Sequence, residues 1–350
     1  MASLDAAQDV RRIRDRLASR RLGVTTALLV VLALTFALAM YLGDFPVAPA
    51  DIVRSLLSPF TREVNKGVDF IVLNVRLPRA TLAVLTGMAF GLSGIIFQTI
   101  LRNPLASPDI IGIAHGASAA AVVCIILLGL SGFAVSVGSL AGAILTALVI
   151  YALAWRGTVT AYRVVLIGIG MAAMLSAVVS YLFTRARLFE VQQAMAWLVG
   201  SLNAASAADI LPLAIALAIL LPPTILLVRG LDALQLGDDT AKALGARLEI
   251  VRLGLILVGV GYTAFATAAV GPVTFVAFVA GPIARSLLAG SGKGFLQAAL
   301  VGALVMLGSD LVAQHALPEI QMPVGVVTGL FGALFLLWLL VVSNRAGRVN

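Results

Sequence analysis

Long apolar runs separated by brief polar stretches dominate the chain. A membrane-crossing helix needs roughly 20 consecutive apolar residues. Residues 24–42 supply one such run, and residues 80–101, which carry no charge, supply a second. Residues 110–155 contain no Lys, Arg, Asp or Glu. That stretch is too long for one helix, and Ser131-Gly132 is the predicted turn that divides it. Residues 164–184 and 210–228 give one helix each. Residues 253–284 need dividing again, with Gly271-Pro272 as the break. Residues 294–313 and 322–342 complete a set of ten. Two polar-to-mixed segments, 43–78 and 185–209, are long enough to hold short helices lying on the membrane surface.

Composition then fixes the class. Hydrophobic residues make up 61% of the 350 positions and charged residues only 11%, against about 25% charged in a typical soluble domain. Mean hydropathy is +1.08. A soluble fold of this length would have to hide more apolar surface than its interior holds. Soluble enzymes, nucleic-acid binders and disordered scaffolds are excluded, and the expected fold is an all-α polytopic membrane bundle. The net charge of +8 and pI of 10.4 take on a different meaning in that setting, because Lys and Arg accumulate in cytoplasmic loops. With the N-terminus inside, 17 of the 24 basic residues fall on inner segments. The seven on the outside are Arg54, Arg62, Lys66, Arg76, Arg79, Arg185 and Arg187. Both termini are therefore expected in the cytoplasm, with residues 1–23 and 344–350 as tails around a single ten-helix transmembrane domain, 24–343. The arginines near the start lead into a run of spanning length, which predicts a retained tail rather than a cleavable signal. One cysteine, Cys124, allows no disulfide within the chain, and two histidines with one cysteine build no ordinary zinc site. Small residues at helix-packing spacing, Gly87/Gly91, Gly138/Gly142 and Gly325/Gly329, predict close helix contacts.

Four segments do not read as lipid-facing helix. Arg76 and Arg79 sit at the outer mouth of the second span, where they either snorkel at the interface or meet an acidic partner. Residues 102–112, RNPLASPDIIG, hold two prolines, an asparagine and an aspartate. Such a stretch is either a plain cytoplasmic turn or a constriction, since irregular backbone at membrane depth must be buried or face water. Residues 231–249 form the most polar part of the long inner loop 229–252. Asp238, Asp239 and Thr240 can start a helix there and Gly245 can end one. Leu231, Leu234, Leu236 and Leu244 would be idle in a solvated loop and call for a docking surface. The fourth segment, 309–330, places Asp310 in or at the end of a span, a functional or structural-pair candidate. His115 is the other ionisable group well inside a span. A proton relay needs several partnered groups of this kind, which disfavours an ion-coupled secondary transporter.

Taken together these strings resemble the permease subunits of type II ABC importers, the iron-siderophore and cobalamin group. The similar stretches are RLPRATLAVLTGMAFGLSGIIFQ (76–98), RNPLASPDIIGIAHGAS (102–118), WLVGSLNAAS (197–206), LQLGDDTAKALG (234–245), GPVTFVAFVAGPIAR (271–285) and MPVGVVTGLFGALFLLWLL (322–340). YRVVLIGIG (162–170) and DLVAQ (310–314) look most like the ferric-enterobactin branch.

The resemblance implies a BtuC-like bundle of ten transmembrane helices with two short cytoplasmic coupling helices. It implies a second permease subunit, with a heterodimer favoured, two ATP-binding-cassette ATPases, and an extracytoplasmic siderophore-binding protein. No cofactor is implied on this chain. ATP and Mg belong to the ATPase, in keeping with the lack of a GxxxxGK[ST] string here. The implied roles are binding-protein docking for Arg76 and Arg79, and a cytoplasmic gate at Asn103, Leu105, Ala161 and Tyr162. Coupling to the ATPase is implied for Gly237, Asp238, Asp239, Ala241, Leu244 and Gly245. Three positions depart from the family pattern: Gln314 replaces a third arginine, Gly281-Pro282 precedes the IAR string, and Gly332-Ala333-Leu334 stands in the last span. The implied function is ATP-driven uptake of ferric siderophore, with cobalamin or haem as the alternative cargo, at a bacterial inner membrane.

Overall fold

The computed structural model describes residues 2–61, 66–109, 111–155, 161–235, 248–317 and 321–346. Among these residues it is all-helical. The helices are α1 (Ala2–Tyr41), α2 (Pro49–Thr61), α3 (Lys66–Asp69), α4 (Leu77–Ile100), α5 (Ile113–Ile126), α6 (Phe133–Ala154) and α7 (Ala161–Arg185). They continue as α8 (Leu188–Leu198), α9 (Ala207–Gln235), α10 (Leu248–Val270), α11 (Val276–Leu288), α12 (Phe295–His315) and α13 (Val324–Ala346). A π-helical stretch, Phe70–Arg76, joins α3 to α4, so that 66–100 runs as one rod.

Each of the ten apolar runs becomes a helix. In hydrocarbon the backbone has no water to bond, so a single-segment helix is the way to satisfy every peptide group. Seven of the described helical stretches are long and apolar enough to cross a membrane, and α5, α11 and α13 are shorter apolar helices. Both predicted breaks fall at glycines with left-handed or otherwise positive φ, Gly132 at 57° and Gly271 at 79°. The two surface segments hold α2 and α3 in one case and α8 in the other.

The rod ending in α4 is the central post. Its apolar window is 78% buried, against 6% for α1 and 11% for α7. It packs most extensively on α12, and also on α10 and α11. Contact with α12 is possible because a Cβ at Gly91 would collide with the Ala298 carbonyl and one at Gly302 with the Gly87 carbonyl. The Gly87/Gly91 pair is thus a packing seam. Gly142 faces Gly116 and Ala120 on α5 in the same way, whereas Gly329 meets only Thr274 at ordinary contact distance.

Polar side chains tie these helices together where no water can. Ser93 on α4 bonds the Gly259 carbonyl and the Thr263 hydroxyl on α10, both at 2.7 Å. Gln98 on α4 donates to the Phe278 carbonyl of α11 at 3.0 Å, and its carbonyl accepts from Arg285 at 2.6 Å. Tyr262 on α10 and Thr224 on α9 share a hydrogen bond of 3.0 Å.

Candidate functional site

The α4 rod presents chemistry at both ends. At one end stand Arg76 and Arg79, one helical turn apart. Arg76 closes the π-helical stretch and Pro78 opens α4, a position where the missing N–H costs nothing. Arg76 is buried, at 8% exposure. It donates from Nη1 to the carbonyls of Met40 (2.7 Å) and Tyr41 (3.1 Å), and from Nη2 to that of Phe45. The last carbonyls of any helix lack intrahelical donors, and this guanidinium supplies them at the end of α1.

Arg79 turns the other way, onto α12. Its Nε lies 3.1 and 3.0 Å from the two carboxylate oxygens of Asp310, and its Nη2 lies 2.9 Å from Asp310 Oδ1. Nη2 also donates to the Asn203 side-chain oxygen at 2.9 Å, and Gln314 donates to Asp310 Oδ2 at 2.8 Å. The side chains of Arg79 and Asp310 are 12% and 2% exposed. A buried charge is tolerable only when paired and hydrogen-bonded, and this cluster meets both conditions. Both arginines of this pair are thus engaged within the chain, whatever they meet outside it. Arg76 is spent on backbone carbonyls and Arg79 on Asp310, because desolvated carbonyls and a desolvated carboxylate bind a guanidinium more strongly than an exposed rim does. Gln314, the position that departs from the family pattern, serves this cluster directly.

Asn203 also lines a cavity of about 740 Å³ between α5, α8, α9 and α10. Its polar lining includes Ser136, Gln193, Ser201, Ser206 and Asp209. The Asp209 carboxylate is itself engaged, accepting from the Ser206 amide and hydroxyl. The wall is mainly apolar, with these hydroxyls and amides and one carboxylate as its polar points.

At the opposite end of α4 lies the 102–112 segment. The Asn103 side-chain oxygen accepts from the Leu105 amide at 2.9 Å and builds the turn, while the Asn103 backbone N–H donates to the Gln98 backbone carbonyl. Asn103 is exposed and Leu105 half-buried, while Ala106, Ser107 and Pro108 are buried. Asp109 is closely enclosed although the residue keeps some accessible surface, and this desolvation pushes its carboxyl up to about 7. Ala161 is the first residue of α7, and Tyr162 beside it is 75% exposed. Gly237, Asp238, Asp239, Ala241, Leu244 and Gly245 all lie outside the described residues. So do the rest of residues 236–247, although Leu231, at the start of the loop, is fully buried. His115 is partly buried, and its Nδ1 has no hydrogen-bond partner. Among the described residues no group of three or more His, Cys, Asp or Glu could hold a metal.

Sequence reasoning missed the Gln98–Arg285 pair and the capping role of Arg76. A glutamine at the end of an apolar run was the one visible signal for the first. Nothing local announced the second, whose partners lie 31 to 36 positions away.

An all-helical bundle with charges gathered at the helix ends, spanning helices tied by small-residue seams, is a polytopic membrane protein by architecture. The family comparison makes that specific: residues 29–342 match the FecCD transport family, and the chain belongs to it. Members of that family are membrane permease subunits of ABC importers. The chain is 39% identical to the ferric enterobactin transport system permease protein FepG of Escherichia coli, over 93% of this chain and 98% of that protein. It is 36% identical to the achromobactin transport system permease protein CbrC of Dickeya dadantii, over 92% and 94%. The hemin transport system permease protein HmuU of Yersinia pestis is 33% identical, over 94% and 97%. An inward-facing putative metal-chelate type ABC transporter superposes with a TM-score of 0.78 at 24% identity, over 90% of this chain and 97% of that one, a likeness of fold.

Proposed function

We propose that this chain is the permease of an importer that carries a ferric siderophore of the catecholate class. The observation that supports this reading is the 39% identity to a ferric enterobactin permease along nearly its whole length. In this reading a binding protein delivers cargo at the Arg79 end, and the arginine-rich end faces the cytoplasm. Cargo enters beside the largely apolar chamber near Asn203, whose few polar groups hold it weakly enough to let it leave. Arg76 and Arg79 shape the receiving mouth, and their charge favours an acidic docking face through orientation and on-rate.

Asn103, Leu105, Ala161 and Tyr162 act as the inner gate, formed where two permease subunits, a heterodimer, meet. ATP-driven closure of the two ATPases moves Gly237, Asp238, Asp239, Ala241, Leu244 and Gly245. The bundle then shifts between outward-open and inward-open states by differential binding. The chain itself hydrolyses nothing in this scheme.

The test is uptake of radiolabelled iron chelates by a strain deleted for this gene and carrying it on a plasmid. Restored uptake of a ferric catecholate, lost again when ATP is depleted, supports the assignment. Restored uptake of ferric citrate, haem or cobalamin with no catecholate uptake overturns the cargo. Uptake that follows a proton gradient without ATP overturns the mechanism.

A further inference from the structure

Gly281-Pro282, one of the places where the chain departs from the family pattern, lies in the middle of α11. A proline has no N–H to donate to the carbonyl four residues earlier. In α11 that carbonyl belongs to Phe278, which is buried. A buried carbonyl without a donor is costly, so a proline inside a membrane helix needs a replacement donor from a neighbour. Gln98 of α4 is that donor. Its side-chain amide donates to the Phe278 carbonyl at 3.0 Å and lies 3.5 Å from the Ala277 carbonyl. Its side-chain oxygen accepts from Arg285 at 2.6 Å, about one turn beyond the proline. Gly281 makes room for it, since a Cβ there would collide with that same oxygen. Gln98 thus spans the break, holding the carbonyl before it and the guanidinium after it.

The two halves of α11 are held differently. From Val276 to Gly281 every residue is buried. This first half is seated on α4 backbone to backbone, because a Cβ at Gly94 would collide with the Ala277 carbonyl. Past the proline only Ala284 and Leu288 are buried, and Ser286 and Leu287 are exposed. The second half is tied to another element as well: Arg20 of α1 donates to the Leu287 carbonyl at 3.3 and 3.2 Å. It ends at Ala289, whose φ of 43° turns the chain towards α12.

A helix with one hydrogen bond missing from its ladder bends more easily there than elsewhere. Hinges form where a few residues absorb the change in backbone angle while the segments on either side stay rigid. We propose that Gly281-Pro282 is a hinge in α11 and that Gln98 is its latch. With the latch closed, as here, the second half lies against α4. With the latch open, the second half swings away, carrying Arg285, while the first half keeps its seat on Gly94. The latch is built from hydrogen bonding and packing within the chain and is independent of the cargo.

The test is hydrogen exchange on the purified full-length chain in a nonionic detergent, with melting curves as the check on folding. The helical amides of residues 283–285 reach back across the proline and report on the hinge. Gln98→Leu is expected to speed their exchange about tenfold and to leave residues 277–281 unchanged. Pro282→Ala restores an N–H to the Phe278 carbonyl and is expected to slow exchange at 283–285. In the double variant the effect of Gln98→Leu is expected to shrink to less than about twofold. A side chain that merely fills space would give the same effect in both backgrounds. Gln98→Glu keeps an acceptor for Arg285 and removes the donor, and the same rise is expected from it should Gln98→Leu fail to fold. No rise at 283–285, an equal rise in both halves of α11, or an undiminished effect of Gln98→Leu beside Pro282→Ala overturns the proposal.

Discussion

The two ends of the α4 rod handle charge in opposite ways. At the Arg79 end a single guanidinium meets a single carboxylate, with Asn203 and Gln314 filling the remaining hydrogen-bonding positions. At the other end Arg102, Arg285 and Lys293 share a cavity with no described carboxylate in its lining. The first arrangement is closed and self-satisfied, so removing one member harms the fold. The second gathers cationic side chains at a cavity wall, where Arg285 donates to the neutral Gln98 side chain. Charge content alone does not separate the two. What separates them is which groups each cation meets in the folded chain: a carboxylate for Arg79, a neutral side-chain carbonyl for Arg285.

The largest expected effect breaks the closed end. Asp310→Ala leaves the Arg79 guanidinium buried without its counter-charge and is expected to cost about 3–5 kcal/mol. The double variant Arg79→Leu with Asp310→Leu is expected to recover much of that loss, and a thermal-melt double-mutant cycle measures the coupling. A double variant as unstable as the single one would show that the pair is not the unit that matters.

Arg76→Gln comes next. It strips the donors from the carbonyls at the end of α1, for an expected loss of about 1–3 kcal/mol. Hydrogen exchange at residues 38–46 is expected to rise while α12 stays protected. Charge reversal at both arginines is thus expected to lower stability as well as docking, so a docking assay on such a variant must be read beside its melting curve.

A smaller effect sharpens the second end. The Asp109 carboxyl is raised to about 7 in the folded chain from an ordinary value of 3.8. The folded state therefore holds the proton more tightly than the unfolded state. Its favourable contribution is complete below about pH 4, fades as pH rises to about 7, and stays lost above that. Asp109→Asn is expected to raise stability at pH 8 by about 1 kcal/mol, discounted for the residue's partial exposure, and to change little at pH 4. Melting curves across that range check it. The smallest effect is the surface pair Arg54–Asp51, at 3.5 Å and largely exposed. Arg54→Ala is expected to shift stability by no more than about 0.5 kcal/mol.

Much of the architecture was legible without coordinates. The ten helices, the breaks at Gly132 and Gly271, and the Gly87/Gly91 seam all follow from local rules. A long apolar run has one way to satisfy its backbone in lipid, and a glycine pair one turn apart marks a close approach. The candidate site was less legible. Asp310 stood out as a buried carboxylate in need of a partner, yet Arg79 lies 231 positions earlier. Arg76 and Arg79 looked equivalent, three residues apart on one motif. The pitch of the helix points them at different neighbours, one at the end of α1 and one at α12.

The sequence by itself determined that this chain lives in a membrane, how many apolar helices it has, and to which family of permeases it is similar. Those properties depend on contiguous residues and on the cost of unsatisfied backbone in hydrocarbon. Only the tertiary structure decided which charges cancel and which accumulate. Electrostatic energy depends on distance in space and on local desolvation, and neither is fixed until helices far apart in the chain have packed around α4.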